Sequence, residues 1–499
     1  MLIREHLRIE ANARIDGRRD LSVSDEEFIL DAYERWGEDC VKHLIGDFAF
    51  AIWDERQQRL FCARDHLGVK PFFYTHVSGE FKFSSTLDEL KAARDLNEIA
   101  IGDYLLFGVN QDNATTIFKD IQRLPPGHTL TFANNEIKVR EYWAPSMPAE
   151  ELRFRDPQEY VERFLEIFSL AVKDRLRADR VAISMSGGLD STSLAAIASE
   201  HAEVAGFAVV YDSLIPDEER HYSSLAAKHL GIRVEHLSAD QYGLFDGQMD
   251  QAEPFLISVL TGQFNELLRM CAEFGLVALT GYDGDALMHE PRPPGLRTRI
   301  KRMLRKTDSM PEWIDHEFAR QTNLLERWNE FWTRSNKGKR PAAMKALRSK
   351  IWTSLFEGYD AGSTKLNLEV RHPFLDVRLI EYLLSIPPVP WCVNKHILRR
   401  AMSDKLPAAV LDRPKTPLMG DPALQLVQRA SVRWLDNFEV SPQLRAFVNL
   451  NRRRPVAEEK TSAALWASLR VFALNYWLTN NSQSIGDSKW NVDLKPLNR

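Results

Sequence analysis

Cysteine is scarce in this chain of 499 residues: Cys40, Cys62, Cys271 and Cys392 lie far apart. Without paired spacing they make no disulfide framework and no cysteine metal cluster, and they read as free thiols of a reducing compartment. Long apolar runs are missing too. No stretch approaches the roughly 20 apolar residues of a membrane span, and the opening Met1-Leu2-Ile3-Arg4-Glu5-His6 has no apolar signal core. Nor is there an excess of positive charge. Sixty-five Lys and Arg face 70 Asp and Glu, a net charge of −5, which argues against a dedicated nucleic-acid binder. Repeats and low-complexity tracts are absent. What remains is an enzyme-like composition, 44% hydrophobic and 27% charged, long enough for two or three domains. A cytoplasmic location is the expectation.

The most informative segment lies between residues 181 and 191. An apolar strand over 181–185 runs into Ser186-Gly187-Gly188-Leu189-Asp190-Ser191 and then a helix over 191–201. The glycines let the backbone turn tightly and approach an anion, and the helix N-terminus points unpaired N–H groups at it. Asp190 would repel a bare phosphate, so its presence implies a bridging cation, Mg²⁺. The ending of a Walker P-loop is absent. The segment predicts a diphosphate cradle and cleavage of ATP between its α and β phosphates.

The surrounding order fits an α/β fold. The first 145 residues read as short strands at 48–53, 60–63, 71–75 and 129–132 between charged or glycine-containing turns. A polar connection over 146–158 leads to a helix with Tyr160, Phe164, Phe168 and Val172 on one face. Then follow a strand at 204–211, a helix at 218–230, a strand at 233–236 and a strand at 276–279, which predict a parallel sheet with helices on both faces. The last of these strands delivers Thr280-Gly281-Tyr282-Asp283-Gly284-Asp285. Ligands sit beyond the carboxyl ends of such strands, so Asp190 and Asp285 are expected to face one crevice and share the Mg²⁺. Farther on the chain reads as helical to about residue 480, with Leu465, Leu469, Phe472 and Tyr476 as a buried stripe, then a polar tail over 481–499. Asp217-Glu218-Glu219 opens a helix, as dipole support or as a border of the substrate pocket. Residues 292–306 contain seven basic side chains and no acid, either a solvated helix face or a docking strip for an acidic partner.

Several ordered motifs resemble the asparagine synthetase family. They include Gly46-Asp47-Phe48-Ala49-Phe50-Ala51-Ile52-Trp53-Asp54, Arg64-Asp65-His66-Leu67-Gly68-Val69-Lys70-Pro71, Leu124-Pro125-Pro126-Gly127, Glu369-Val370-Arg371-His372-Pro373-Phe374-Leu375-Asp376 and Leu411-Asp412-Arg413-Pro414-Lys415. The resemblance implies an N-terminal, degenerate Ntn-type αββα sandwich over 1–150. It further implies an ATP-pyrophosphatase domain over 155–480, a doubly wound parallel sheet with a helical C-terminal part. The implied reaction is adenylation of a carboxylate, then attack by a nitrogen nucleophile with release of AMP. The implied nucleotide site takes in Ser184, Ser186, Gly187, Gly188, Leu189, Asp190, Ser191, Val209, Thr280 and Gly281, and Lys415 is the implied active-site lysine.

Two departures from the family pattern shape the expected function. The family's glutaminase uses an N-terminal cysteine, whereas Leu2 stands at position 2, and residues 8–16 read as an interior strand. The N-terminal part is therefore expected to be scaffold. Asparagine synthetases have glutamate where this chain has Tyr282, and the β-lactam-forming branch has a tyrosine that works with an acidic partner on an amine. Tyr282 is accordingly a candidate base, or a ring packed over the adenylate. The leading expectation is a macrolactam synthetase like the lasso-peptide cyclases, joining an Asp or Glu side chain of a precursor peptide to its N-terminal amine. A leader-peptide-binding or peptidase partner goes with that expectation. The alternatives are asparagine synthesis from ammonia, with a small carboxylate substrate, and a non-catalytic nucleotide-binding scaffold. A tRNA-thiolating enzyme fits worst, since no basic RNA-binding region is evident.

Overall fold

A computed structural model describes residues 1–481 apart from 19, 21, 91–94, 248–250, 255–257, 283, 289–308, 334–338, 415–419 and 430–432. In the N-terminal part, β1 (Leu2–Arg4), β2 (Leu7–Ile15), β3 (Gly46–Asp54), β4 (Arg59–Arg64), β8 (His128–Ala133) and β9 (Glu136–Glu141) form an antiparallel sheet in that order. A second sheet runs β6 (Glu80–Ser84), β5 (Phe73–Val77), β7 (Gln122–Arg123). The period-two side chains of β3 sort the layers. Small Ala49 and Ala51 face the other sheet, meeting Phe72, Phe81 and Leu124. Large Phe48, Phe50 and Ile52 pack under α1 (Asp25–Trp36) against Ile29, Leu30 and Tyr33. On the outer side of the second sheet, α2 (Glu98–Phe107) packs Ile101, Tyr104 and Leu105 with Phe73. The layers are helix, sheet, sheet, helix.

Neither helix was legible as such within a region that reads as strands. α1 is held at its start by a capping box, Ser24 with Glu27. α2 is apolar on nearly every side, so it shows no helical period.

In the C-terminal part, β10 (Arg180–Ser184), β11 (Glu203–Val210), β12 (Arg233–Ser238), β13 (Val277–Thr280) and β14 (Glu369–Arg371) form a parallel sheet ordered β12-β11-β10-β13-β14. Both faces are covered. Val181 and Ile183 pack toward α3 (Pro157–Asp174), α4 (Leu189–Ala198) and α5 (Glu219–Leu230), while Ala182 packs toward α6 (Thr261–Phe274). α3 starts at a second capping box, Asp156 with Glu159, and buries Tyr160, Phe164, Phe168 and Val172 as its spacing predicts. The chain steps outward from β10 to β12, then returns to β13 on the other side of β10. That reversal makes the carboxyl ends of β10 and β13 the switch point of the sheet, where a crevice opens. Register places Ser184 beside Thr280, so both loops leave side by side.

Three readings need correction. The helix after the glycine loop begins at Leu189 with Gly188 as its N-cap and ends at Ala198, so Ser191 sits inside its first turn. Tyr476 is exposed on the helix Ser462–Asn481, whereas Leu465, Leu469, Phe472 and Trp477 are buried. Residues 369–371, read only as part of a motif, form the edge strand β14. Of the polar tail, only Asn481 lies among the described residues.

Buried ion pairs tie the two parts together: Arg175 meets Asp16 at 3.5 Å and Lys70 meets Glu369 at 2.8 Å, while Arg14–Asp47 and Arg175–Asp376, both at 2.6 Å, extend the network within each part. Breaking one partner of such a pair leaves an uncompensated buried charge.

Nearby titratable groups predict an acid-labile fold. Burial lowers His66 to about 4 and His372 to about 3. Both stay neutral in the fold, so their contribution is present above pH 6.5 and is lost as pH falls toward those values. Asp65 is raised to about 6, chiefly by burial and then by Asp47, and its contribution runs the opposite way between pH 3.8 and 6. About one net proton therefore opposes folding between pH 6.5 and 4. Each net proton is expected to cost about 1.4 kcal/mol per pH unit. Denaturant unfolding at pH 7 and pH 5 checks this, with H66N and H372N each flattening the slope.

Candidate active site

The Ser186–Ser191 loop lies between the end of β10 and the first turn of α4. Gly188 sits at φ −78° and ψ 156°, and Thr192 Oγ1 and Ser191 Oγ both donate to its carbonyl, at 2.9 and 3.3 Å. The first amides of α4 therefore point toward the crevice. Gly187 is required for a different reason from close anion approach. A Cβ there would stand 2.5 Å from Tyr222 Cβ and 2.7 Å from the Ser223 nitrogen of α5.

The second loop presses onto the first. A Cβ on Gly281 would lie 3.1 Å from Asp190 Cβ, and one on Gly284 would lie 2.6 Å from the Asp190 carboxyl carbon. Gly284 opens α7 (Gly284–Met288), and the next residue is Asp285. Asp190 and Asp285 do face one crevice, and a cation already bridges them. Lys395 Nζ lies 2.5 Å from Asp190 Oδ2 and 2.6 Å from Asp285 Oδ1. Two carboxylates converging on one positive charge are a donor set that suits Mg²⁺. Among the described residues no cluster of three or more His, Cys, Asp or Glu could hold a metal by itself. A magnesium ion here would complete its shell from phosphate and water.

The cleft around this pair measures about 1140 Å³ and is lined by Ser184, Ser186, Gly188, Leu189, Asp190, Ser191, Thr280, Gly281, Tyr282 and Asp285. Arg399, Arg413 and Glu219 close its far side. Arg413 pairs with Glu219 at 3.0 Å and lies over the Tyr222 ring at 4.2 Å. Asp217 serves the local backbone, accepting from the Tyr211 and Glu219 nitrogens at 2.7 and 2.6 Å. Gly187 and Val209 are not on this lining. Val209 packs instead with Tyr211, Leu214, Ile215 and Ala239.

Tyr282 lines the cleft with a ring that is 39% exposed, yet its hydroxyl points inward and meets Tyr359 at 2.8 Å. The partner is thus a second phenol, where the resemblance implies a carboxylate. Burial raises the pKa of Tyr282, and that of Tyr359 still further. A raised phenol is a scarce base at neutral pH. Lys415 and the basic strip 292–306 lie outside the described residues.

Lys395 and Arg399 went unread in the sequence, and Arg413 was read only as part of a motif. Lys395 is the N-cap of the short helix His396–Ala401, a place where a cation is disfavoured. That misfit was the available signal, but it needs the helix start to be known.

Residues 3–143 match the glutamine amidotransferase domain family, and residues 163–479 match the asparagine synthase family. The second match spans well over half of the chain. The chain belongs to the asparagine synthase family. It is similar to asparagine synthetase [glutamine-hydrolyzing] 3 of Bacillus subtilis, at 31% identity over 83% of this chain and 73% of that protein. It is also similar to asparagine synthetase [glutamine-hydrolyzing] 2 of the same organism, at 27% identity over 82% of this chain and 60% of that protein. A putative asparagine synthetase of Methanocaldococcus jannaschii is 32% identical over 36% of each chain. Asparagine synthase family members are ATP-dependent carbon–nitrogen ligases that release AMP and diphosphate. Membership agrees with the two-part α/β architecture and its parallel sheet.

Proposed function

We propose that this chain is an ATP- and Mg²⁺-dependent amide ligase that adenylates a carboxylate and joins it to an amine within a peptide. The observation that supports it most is the convergence of Asp190 and Asp285 on one cation beside the Ser186–Ser191 loop. Asp190 and Asp285 would hold the metal, which draws negative charge from the departing diphosphate. The substrate carboxylate oxygen attacks the α-phosphorus, and diphosphate leaves against the α4 N-terminus and Ser186. The amine then attacks the acyl carbon, its proton passes to a base, and AMP departs with the former carboxylate oxygen. Lys415 is proposed to stabilise the oxyanion of that step.

The substrate proposed is an Asp or Glu side chain of a precursor peptide, closed onto its own N-terminal amine as in lasso-peptide synthetases. An open cleft of about 1140 Å³ leaves room for a peptide segment beside the nucleotide. A leader-binding or peptidase partner and a cytoplasmic location go with this reading. Among the described residues no helix is long and apolar enough to cross a membrane. In the N-terminal part Cys40 and Cys62 are fully buried, and burial pushes Cys40 up to about 12 and Cys62 well above its usual value, so neither is proposed as a nucleophile.

Asparagine formation is the second reading, favoured by the 31% identity to a Bacillus subtilis asparagine synthetase over most of the chain. The test is incubation with ATP, Mg²⁺ and either precursor peptides or aspartate plus ammonia, following AMP, diphosphate and product mass. Release of ADP alone overturns both readings, and silence with every acceptor leaves a nucleotide-binding scaffold. Product mass separates the two readings, and Tyr282→Phe tests whether the Tyr282–Tyr359 phenol pair relays the amine proton: a loss of at least tenfold with a peptide acceptor assigns the relay to the pair, and a change within about twofold leaves Tyr282 as a wall of the cleft.

A further inference from the structure

The ammonium of Lys395 occupies the place between Asp190 and Asp285 where the proposed metal would sit. Its position is built in. The Lys395 backbone takes the left-handed conformation, φ 57° and ψ 35°, directly after Asn394 at φ 50°. Two consecutive non-glycine residues in that region are strained and persist only where the surroundings hold them. Here the Lys395 nitrogen donates to the Met288 carbonyl at 2.8 Å, at the end of the α7 segment that bears Asp285. Side chain and partner are thus fixed to the same few residues. The Lys395 side chain is only 11% exposed and that of Asp190 only 14%, so water screens the attraction poorly.

We propose that Lys395 is a resident counter-cation that excludes a free divalent metal, so that metal enters only together with nucleotide. The inference rests on Asp190 and Asp285 being the metal ligands. The Lys395 ammonium offsets the repulsion between two carboxylates held at close range. A divalent ion arriving alone must displace that ammonium into a cleft lined by Arg399 and Arg413 as well as by Asp412 and Glu219, of which Glu219 is already paired with Arg413 at 3.0 Å. A nucleotide brings phosphates for the freed ammonium to meet, and a lysine stem is flexible enough to turn there. Lys395 therefore couples metal and nucleotide binding and suppresses metal binding by the empty enzyme.

The test is Mn²⁺ titration of the full chain, read by electron paramagnetic resonance, with and without the α,β-methylene analogue of ATP. The parent is expected to bind Mn²⁺ at least tenfold more tightly with the analogue than without it. Lys395→Met is expected to tighten nucleotide-free Mn²⁺ binding at least tenfold, and Lys395→Arg to leave it as in the parent. Thermal unfolding supplies an independent readout. The melting temperature of K395M should rise on adding Mg²⁺ alone, and that of the parent should not. Equal nucleotide-free affinity in the parent and K395M, or tight Mn²⁺ binding by the empty parent, overturns the proposal while leaving the metal ligands in place. No Mn²⁺ binding by any variant even with the analogue overturns the metal reading itself.

Discussion

Asp285→Asn is expected to lower diphosphate release from ATP on the order of 10³-fold while leaving the melting temperature within about 3 °C of the parent. The carboxylate is 44% exposed in the second residue of α7, and asparagine keeps its shape and most of its hydrogen bonding. What it loses is the charge that a metal needs. Asp190→Asn should behave alike in rate. Its melting temperature is expected to fall further than that of D285N, since the side chain is only 14% exposed and meets Lys395 directly. Coupled diphosphate detection and a thermal melt check both variants. Retention of a third or more of the parent rate by D285N would remove Asp285 from the metal site.

Adding one methyl group at Gly284 and at Gly187 should give opposite results. The Gly284 methyl would stand 2.6 Å from the Asp190 carboxyl carbon, and that side chain must swing about its Cα–Cβ bond to make room. The fold is expected to survive, with activity falling about a hundredfold because the rotated group no longer faces Asp285. The Gly187 methyl would instead meet the backbone of α5, at 2.7 Å from the Ser223 nitrogen. A helix backbone cannot step aside cheaply, so destabilisation of about 1–3 kcal/mol is expected, with the loop displaced as well. Kinetics with saturating ATP and denaturant unfolding of both variants distinguish a catalytic glycine contact from a packing one.

Much of the fold was legible because its signals are local. The run 181–185, the turn of glycines and the alternation of strands and helices to residue 238 all appear within short windows, and the structure shifts their ends by one to three residues. Tyr160, Phe164, Phe168 and Val172 were recognisable from spacing alone. α2 was not, because a helix buried on nearly every side has no polar face to mark a period. Val209 shows the limit of resemblance. It lies near the carboxyl end of a strand beside the site, yet its side chain packs with Tyr211 and Leu214.

From the amino-acid order come the glycine loop, the two aspartates and the parallel sheet that aims them, because each depends on residues adjacent in the chain or on a strand's direction. Only the folded chain joins Lys395 to Asp190 across 205 positions and Tyr282 to Tyr359 across 77. No periodicity spans such distances. Those partners are chosen by how α7, the Asn394–Lys395 turn and the helix Ile351–Tyr359 pack against the sheet, and packing is a property of surfaces that meet only after folding.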